Sequence, residues 1–378
     1  MTRQLIAIFT GALVTLGAAT SRAQVGPGIG TPLVPGATST NSRVGTRGAN
    51  FLEIGLGARA MGMAGAYSSL AEGLSAMYWN IAGTAEAQNV AGGIDYASLY
   101  GSNGLSFAWG GILLPAAGGV FGFQIGQMSS GDLLRTDYAY PDGGDPVVGN
   151  SFQYTGTMAE VSYARRLTDR LDFGLGGKYA SEGMQTANAT YYGVDVGIKF
   201  RTGLYGTTLG ASLANVGSSG KFSGSLIESN QVNTFDPSVV RIAYSTQSME
   251  MPTIFRFSVL SDLVGGPESL LSQTNHYGAF HAVLEFSNGI DTDLQSVLGG
   301  EYSWHDMLFL RAGHRWYNEG WDKTSGSALS RGDYWNRGTA LGGGIRLPLG
   351  GRKMSFDYAW QGMGELPANN QFSFEFGF

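Results

Sequence analysis

Cysteine is absent from the 378 residues, which excludes disulfides, thiolate metal sites and thiol nucleophiles together. Charge is scarce as well: Asp, Glu, Lys and Arg make up 14% of the chain, well below the typical quarter of soluble proteins. The net charge of −6 is mild and the basic residues are scattered, so the chain carries no nucleic-acid footprint. Beyond the N-terminus no run approaches the roughly 20 apolar residues that a spanning helix requires. Histidine occurs four times, too few for much metal or acid–base chemistry.

Glycine and aromatic residues are abundant instead, with 60 glycines and 12% Phe, Trp and Tyr. The chain opens as a secretory signal peptide over 1–23: Arg3 supplies the positive start, Leu5 to Ala19 the apolar run, and Ser21-Arg22-Ala23 a small-x-small cleavage site before Gln24. The run is short for a membrane anchor. Residues 24–46, rich in Pro, Gly, Ser and Thr, read as a flexible tether. An exported chain of this kind belongs to the periplasm, the surface or the outer membrane.

From residue 89 to 378 the chain breaks into segments of about ten residues with period-two patterning. In "YYGVDVGIKF", Tyr192, Val194, Val196, Ile198 and Phe200 fall on one side, and Gly193, Asp195, Gly197 and Lys199 on the other. The last segment sets Phe372, Phe374, Phe376 and Phe378 against Ser373, Glu375 and Gly377. Alternation alone fits a soluble sandwich equally well. Segment length, Tyr and Trp near strand ends (Tyr96, Tyr100, Trp109, Tyr163, Tyr179, Trp304, Trp316, Trp360) and loop parity favour a membrane barrel. The long connections, 129–151, 217–251 and 318–337, share one parity, and tight turns such as "TDR" and "LGGR" share the other.

The expected fold is therefore all-β, a transmembrane antiparallel barrel of about 14 strands, an even number as single-chain bacterial barrels have. Residues 236–247 can pass for a further strand but would scramble the parity, so they are assigned to an outer loop. The connection 264–275 is too long for its end of the barrel. The closing strand must pair with the first, its Phe face meeting lipid.

Residues 47–88 do not alternate and are dense in Gly and Ala, as suits a plug threaded inside a barrel. The plain alternative is a periplasmic linker with one helical turn. Gly57-Ala58-Arg59-Ala60-Met61-Gly62-Met63, Gly65-Ala66 and Ala76-Met77-Tyr78-Trp79-Asn80 resemble the plug of the PorV/PorQ family, within the wider group of FadL-like barrels. The resemblance continues in "SYARRLTDRLDFGLGGKY" (162–179), "EYSWHDMLFLRAGHRW" (301–316) and the terminal Phe. It departs at Asn80-Ile81-Ala82-Gly83, where such proteins usually carry Asn-Pro-Ala-Gly, and without proline the bend loses a fixed φ.

The candidate plug motif is thus Gly57, Ala58, Arg59, Gly62, Gly65, Tyr78, Trp79, Asn80, Ala82 and Gly83. Inward-facing charges, chiefly Asp195, Lys199, Glu301, Arg311, Arg315 and Asp357, either line a water path or hold the plug, with Arg59 the candidate partner for a lumen carboxylate. Phe376 and Phe378 stand where the resemblance places the signal read by the barrel insertion machinery. No residues form a credible catalytic, metal or cofactor set: His281 and Glu285 share a face without a third ligand, and His314 and Ser303 point apart.

By resemblance, the function is non-enzymatic work in the outer membrane of a Gram-negative-type bacterium. It consists of protein secretion and cargo handling of the type IX kind, with secretion-system components and exported cargo as partners. The alternative is FadL-like uptake of long-chain fatty acids or other hydrophobic compounds, in which a plug shift and a kink in the third strand, "GGVFGFQIG", pass the ligand sideways into lipid.

Overall fold

The computed structural model describes residues 45–377 except 102–103, 137, 147–148, 150, 233–238, 267, 273–277, 293 and 318–335. The expected signal peptide, the tether up to residue 44 and Phe378 lie outside the described residues.

Fourteen strands form one antiparallel meander: β1 (Ala91–Ser98), β2 (Ser106–Ala116), β3 (Gly119–Ser129), β4 (Tyr154–Thr168), β5 (Leu171–Met184), β6 (Ala187–Arg201) and β7 (Thr207–Gly217), then β8 (Ile254–Val264), β9 (Ala279–Gly289), β10 (Gln295–Trp304), β11 (Leu308–Tyr317), β12 (Thr339–Leu349), β13 (Arg352–Met363) and β14 (Leu366–Phe376). Each pairs with the next, and β14 pairs with β1 from Gly92↔Phe376 to Ser98↔Asn370, so the sheet closes and has no free edge. Phe376 lies in this seam, between Gly92 and Met354.

Alternation decides which way each side chain points. On β5 and β6, Phe173, Leu175, Tyr179, Tyr192, Val194, Ile198 and Phe200 are exposed on the outside while Asp172, Lys178, Asp195 and Lys199 are buried inside. A continuous apolar exterior around a polar interior is the inverse of a soluble protein and the pattern of a barrel solvated by hydrocarbon.

Of the aromatic positions expected at the interfaces, Trp109 departs. It is buried on the inner face, where its Nε1 donates to Gln124 Oε1 at 2.6 Å, because it shares the face of Asp95's partner row and not that of Ile94. Tyr100 lines an internal cavity instead of the outer rim.

The long connection between β7 and β8 carries its own hairpin, Glu228–Val232 with Val239–Ala243, outside the barrel. The over-long connection after β8 folds back on its strand: the N–H groups of Leu270 and Leu271 donate to the carbonyls of Asp262 and Leu263 at 2.9 and 3.0 Å. Its length is thereby satisfied without a further strand.

Residues 45–90 run down the lumen. Arg47 pairs with Glu250 at the long-loop end, and Gln88 and Asn89 line a cavity at the short-turn end, next to the start of β1. Between them come a 3₁₀ turn (Asn50–Glu53), helix α1 (Ala58–Met61), helix α2 (Ala76–Trp79) and a second 3₁₀ turn (Ile81–Glu86). Ala58, Ala60, Met63, Ala64, Ala66, Leu74, Ala76 and Met77 are wholly buried.

This plug touches wall where the wall has no side chains. A Cβ on Gly210 of β7 would sit 2.6 Å from the Ser68 carbonyl, and Gly62 and Gly342 approach so closely that a Cβ on either falls 2.9 Å from the other's Cα. Replacing Gly342 by Leu should therefore cost about 1–3 kcal/mol of overpacking. We expect faster proteolysis of the plug from a Gly342→Leu barrel that still shows its heat-dependent gel shift; unchanged plug protection would remove the contact from the account.

Candidate functional site

The plug is fixed first by backbone. Gly57 takes φ +87°, a left-handed turn that glycine allows, and α1 starts immediately after it with the Ala58 N–H donating to Ser373 Oγ at 2.6 Å. Ser373 and Gln371 in turn donate to Asp95 across the β1–β14 seam, so the same polar cluster closes the barrel and seats the helix.

Gly62 meets β12, and Gly65 (φ +89°) ends the turn after α1. Beyond it, Tyr78 Oη donates to the Leu52 carbonyl at 3.1 Å and Trp79 Nε1 to that of Leu56 at 2.7 Å, tying α2 to the first part of the plug.

At the bend, Asn80 Nδ2 donates to the carbonyls of Ser68 and Ile198, both at 2.9 Å, and its Oδ1 accepts from the Ala82 N–H at 3.2 Å. These three bonds do the work that the missing proline would have done. Ile81 in that place is buried against the bare backbone of β5, where a Cβ at Gly174 would fall 2.6 Å from its Cγ2. Gly83 passes against the Ala71 carbonyl, too close for any side chain.

Ion pairs finish the attachment. Arg59 grips Glu301 of β10 with Nε at 2.8 Å and Nη2 at 2.7 Å, and also bonds Glu72 of the plug. Glu301 stands opposite Arg311 in register and accepts from it at 2.6 Å. Arg311 reaches on to Asp357 of β13, also 2.6 Å, across Gly344 of β12, where a side chain would stand in the gap.

The buried charges thus alternate in sign. Removing one leaves its neighbours facing like charge in low dielectric, which typically costs 3–5 kcal/mol, roughly. Elsewhere, Lys199 Nζ donates to the Ala71 carbonyl at 3.1 Å and Arg315 Nη2 to that of Ala64 at 2.7 Å, so both also hold the plug. Asp195 does not: it accepts from Lys178 Nζ at 2.6 Å and from the Asn215 N–H at 2.7 Å, within the wall. Glu160 and Gln124, absent from the sequence expectations, extend that wall network, Gln124 Nε2 donating to Glu160 at 2.7 Å. The inward parity of Glu160 among Met158 and Ser162 was the available signal.

Seated this way, the plug divides the lumen. Above it, at the long-loop end, lies a chamber of about 500 Å³ whose floor includes Phe51, Met61, Tyr78 and Trp79 and whose wall includes Leu99, Met128, Arg256 and Arg315. Below it, at the short-turn end, a vestibule of about 270 Å³ is lined by Arg59, Tyr67, Glu72, Glu86, Arg346 and Glu375. Tyr67 and Trp79 meet edge to face in the partition, centroids 6.5 Å apart. The expected kink in the third strand is not there: β3 pairs with β2 and β4 over its whole length without a register shift, because its glycines are covered by plug and neighbouring side chains. His281 pairs with Asp262 at 2.6 Å, and among the described residues no cluster of His, Asp and Glu is placed to hold a metal.

Comparison with solved structures gives a deltaS2S3 mutant of the monoaromatic hydrocarbon channel TodX, with TM-score 0.52 and 13% identity over 85% of this chain and 98% of that one. The chain shares that channel's fold. The Pseudomonas putida toluene transporter TodX follows at TM-score 0.49 and 11% identity, over 85% and 97%. A Pseudomonas aeruginosa FadL homologue is found at 0.45 and 14%, over 84% and 97%. No family model matches the chain, and no curated protein matches it.

Two plug carboxyls respond oppositely to pH. Burial, then the charge of Asp291, pushes Glu53 up from 4.5 to about 8. Burial alone would also raise Glu72, but Arg59 and Arg346 outweigh it and hold that group down at about 2. The contribution of Glu72 to plug seating is present above pH 4.5 and fades as pH falls toward 2, whereas the penalty at Glu53 grows as pH rises from 4.5 to 8. Plug protease resistance should peak between these limits. Glu53→Gln should flatten the alkaline limb and Glu72→Gln the acid limb. Glu301→Ala should lower resistance at every pH.

Proposed function

We propose that the protein resides in the outer membrane and admits a small, largely apolar molecule through its lumen. The molecule enters the chamber at the long-loop end and passes to the vestibule when the plug shifts. The observation that carries this reading is the chamber itself: about 500 Å³, within the range of small-molecule sites, lined by aromatic, methionine and aliphatic side chains together with polar groups such as Gln295 and Gln371, and floored by a segment held in place through polar contacts and close packing. Hydrogen bonds and ion pairs can be exchanged in a cooperative shift, whereas the strand ladder cannot. The unbroken β3 favours passage past the plug over escape through the wall at that strand.

The fold shared with a monoaromatic hydrocarbon channel is consistent with this reading, though likeness of fold does not carry function across. Handling of exported cargo in the manner of PorV/PorQ proteins is the second reading. The plug motifs from Gly57 to Met63 and from Ala76 to Asn80 favour it, as does the long connection between β7 and β8 with its hairpin, a surface on which a partner chain can dock.

Deleting the gene and scoring both activities separates the two. Uptake of a labelled monoaromatic hydrocarbon should slow several-fold while exported proteins still reach the surface. Retention of those proteins in the periplasm with uptake unchanged would instead establish the second reading.

A further inference from the structure

Arg256 of β8 projects into the chamber with its charge poorly answered. It is 4% exposed, and its guanidinium lies over the rings of Tyr78 and Trp79, with 5.1 Å to each centroid. Its Nη1 is enclosed with no hydrogen-bond partner. Neither acid of the chamber lining, Glu53 or Glu285, forms an ion pair with it among the described residues. Glu285 accepts from the plug N–H groups of Tyr67 and Ser68 at 2.9 and 2.8 Å, and Glu53 lies beside Asp291. A guanidinium that lines the chamber with no ion pair or hydrogen bond of its own among the described residues is costly unless something anionic completes it.

We propose that the chamber binds an aromatic carboxylate, its carboxylate oxygen accepting from the guanidinium of Arg256 and its ring lying among the aromatic and methionine side chains of the lining. The inference rests on the uptake reading and narrows its substrate class. A carboxylate matches one in-plane donor edge with charge-assisted strength. A flat ring matches walls supplied by Phe51, Tyr154, Tyr317, Met61 and Met128, since rings gain from offset or edge-on aromatic contact and from thioether sulfur.

The test uses the full chain in lipid nanodiscs and calorimetric titration with three probes: naphthoate, its uncharged counterpart naphthalenemethanol, and octanoate. Naphthoate should bind about tenfold or more tighter than either of the others, and Arg256→Gln should remove its advantage over the alcohol. Equal affinity for naphthoate and the alcohol in the native chain overturns the proposal without recourse to any variant. So does full naphthoate affinity in Arg256→Gln. Octanoate binding as tightly as naphthoate overturns the aromatic assignment. Binding of the alcohol alone leaves the uptake reading standing and this inference refuted, whereas binding of none of the three counts against both.

Discussion

Close approach of backbone to backbone is what allows a folded segment to occupy this lumen. The inner face alternates charge with glycine, and the plug brings its own glycines and alanines to meet the bare stretches, as where Gly62 lies on Gly342 and Ser68 on Gly210. At such distances the wall residue cannot carry a side chain, and where Gly62 meets Gly342 neither partner can, so position and composition are linked at the contact. The gaps serve the polar chemistry too. Because Gly344 leaves a window in β12, Arg311 spans from Glu301 to Asp357, and the chain of alternating charge that ends on Arg59 can form.

Two kinds of attachment follow, with different susceptibilities. Steric fit is indifferent to pH and salt, whereas the Arg59, Glu72 and Glu53 contacts are not. A segment held by packing alone would be a permanent core; one whose register is set by ion pairs and carbonyl contacts has discrete ways to let go. The partition between chamber and vestibule is the place where such release would join the two ends of the lumen.

Much of the architecture was legible because a barrel writes its period into the chain. The alternation of "YYGVDVGIKF" with its neighbours fixes face and count, and loop parity fixes closure. Strand ends were less legible, since β14 begins at Leu366, ahead of its regular Phe pattern. The bend at Asn80 was misjudged for an instructive reason: absence of proline suggested looseness, but three side-chain hydrogen bonds and the fit of Ile81 against Gly174 are tertiary and leave no local trace. Trp109 points inward because strand parity, set by its pairing with Asp95, outweighs aromatic character. The role of Arg256 depends on which acids its neighbours already serve, and that is written only in three dimensions.

Amide hydrogen exchange on the chain in lipid nanodiscs addresses the seated plug most directly. Amides from Ala58 to Gly83 that exchange as slowly as those of β5 and β6 are what a segment bonded into the lumen must give. Exchange of that stretch within seconds, at the pace of the exposed β3–β4 connection, would mean that it is not packed inside the barrel at all.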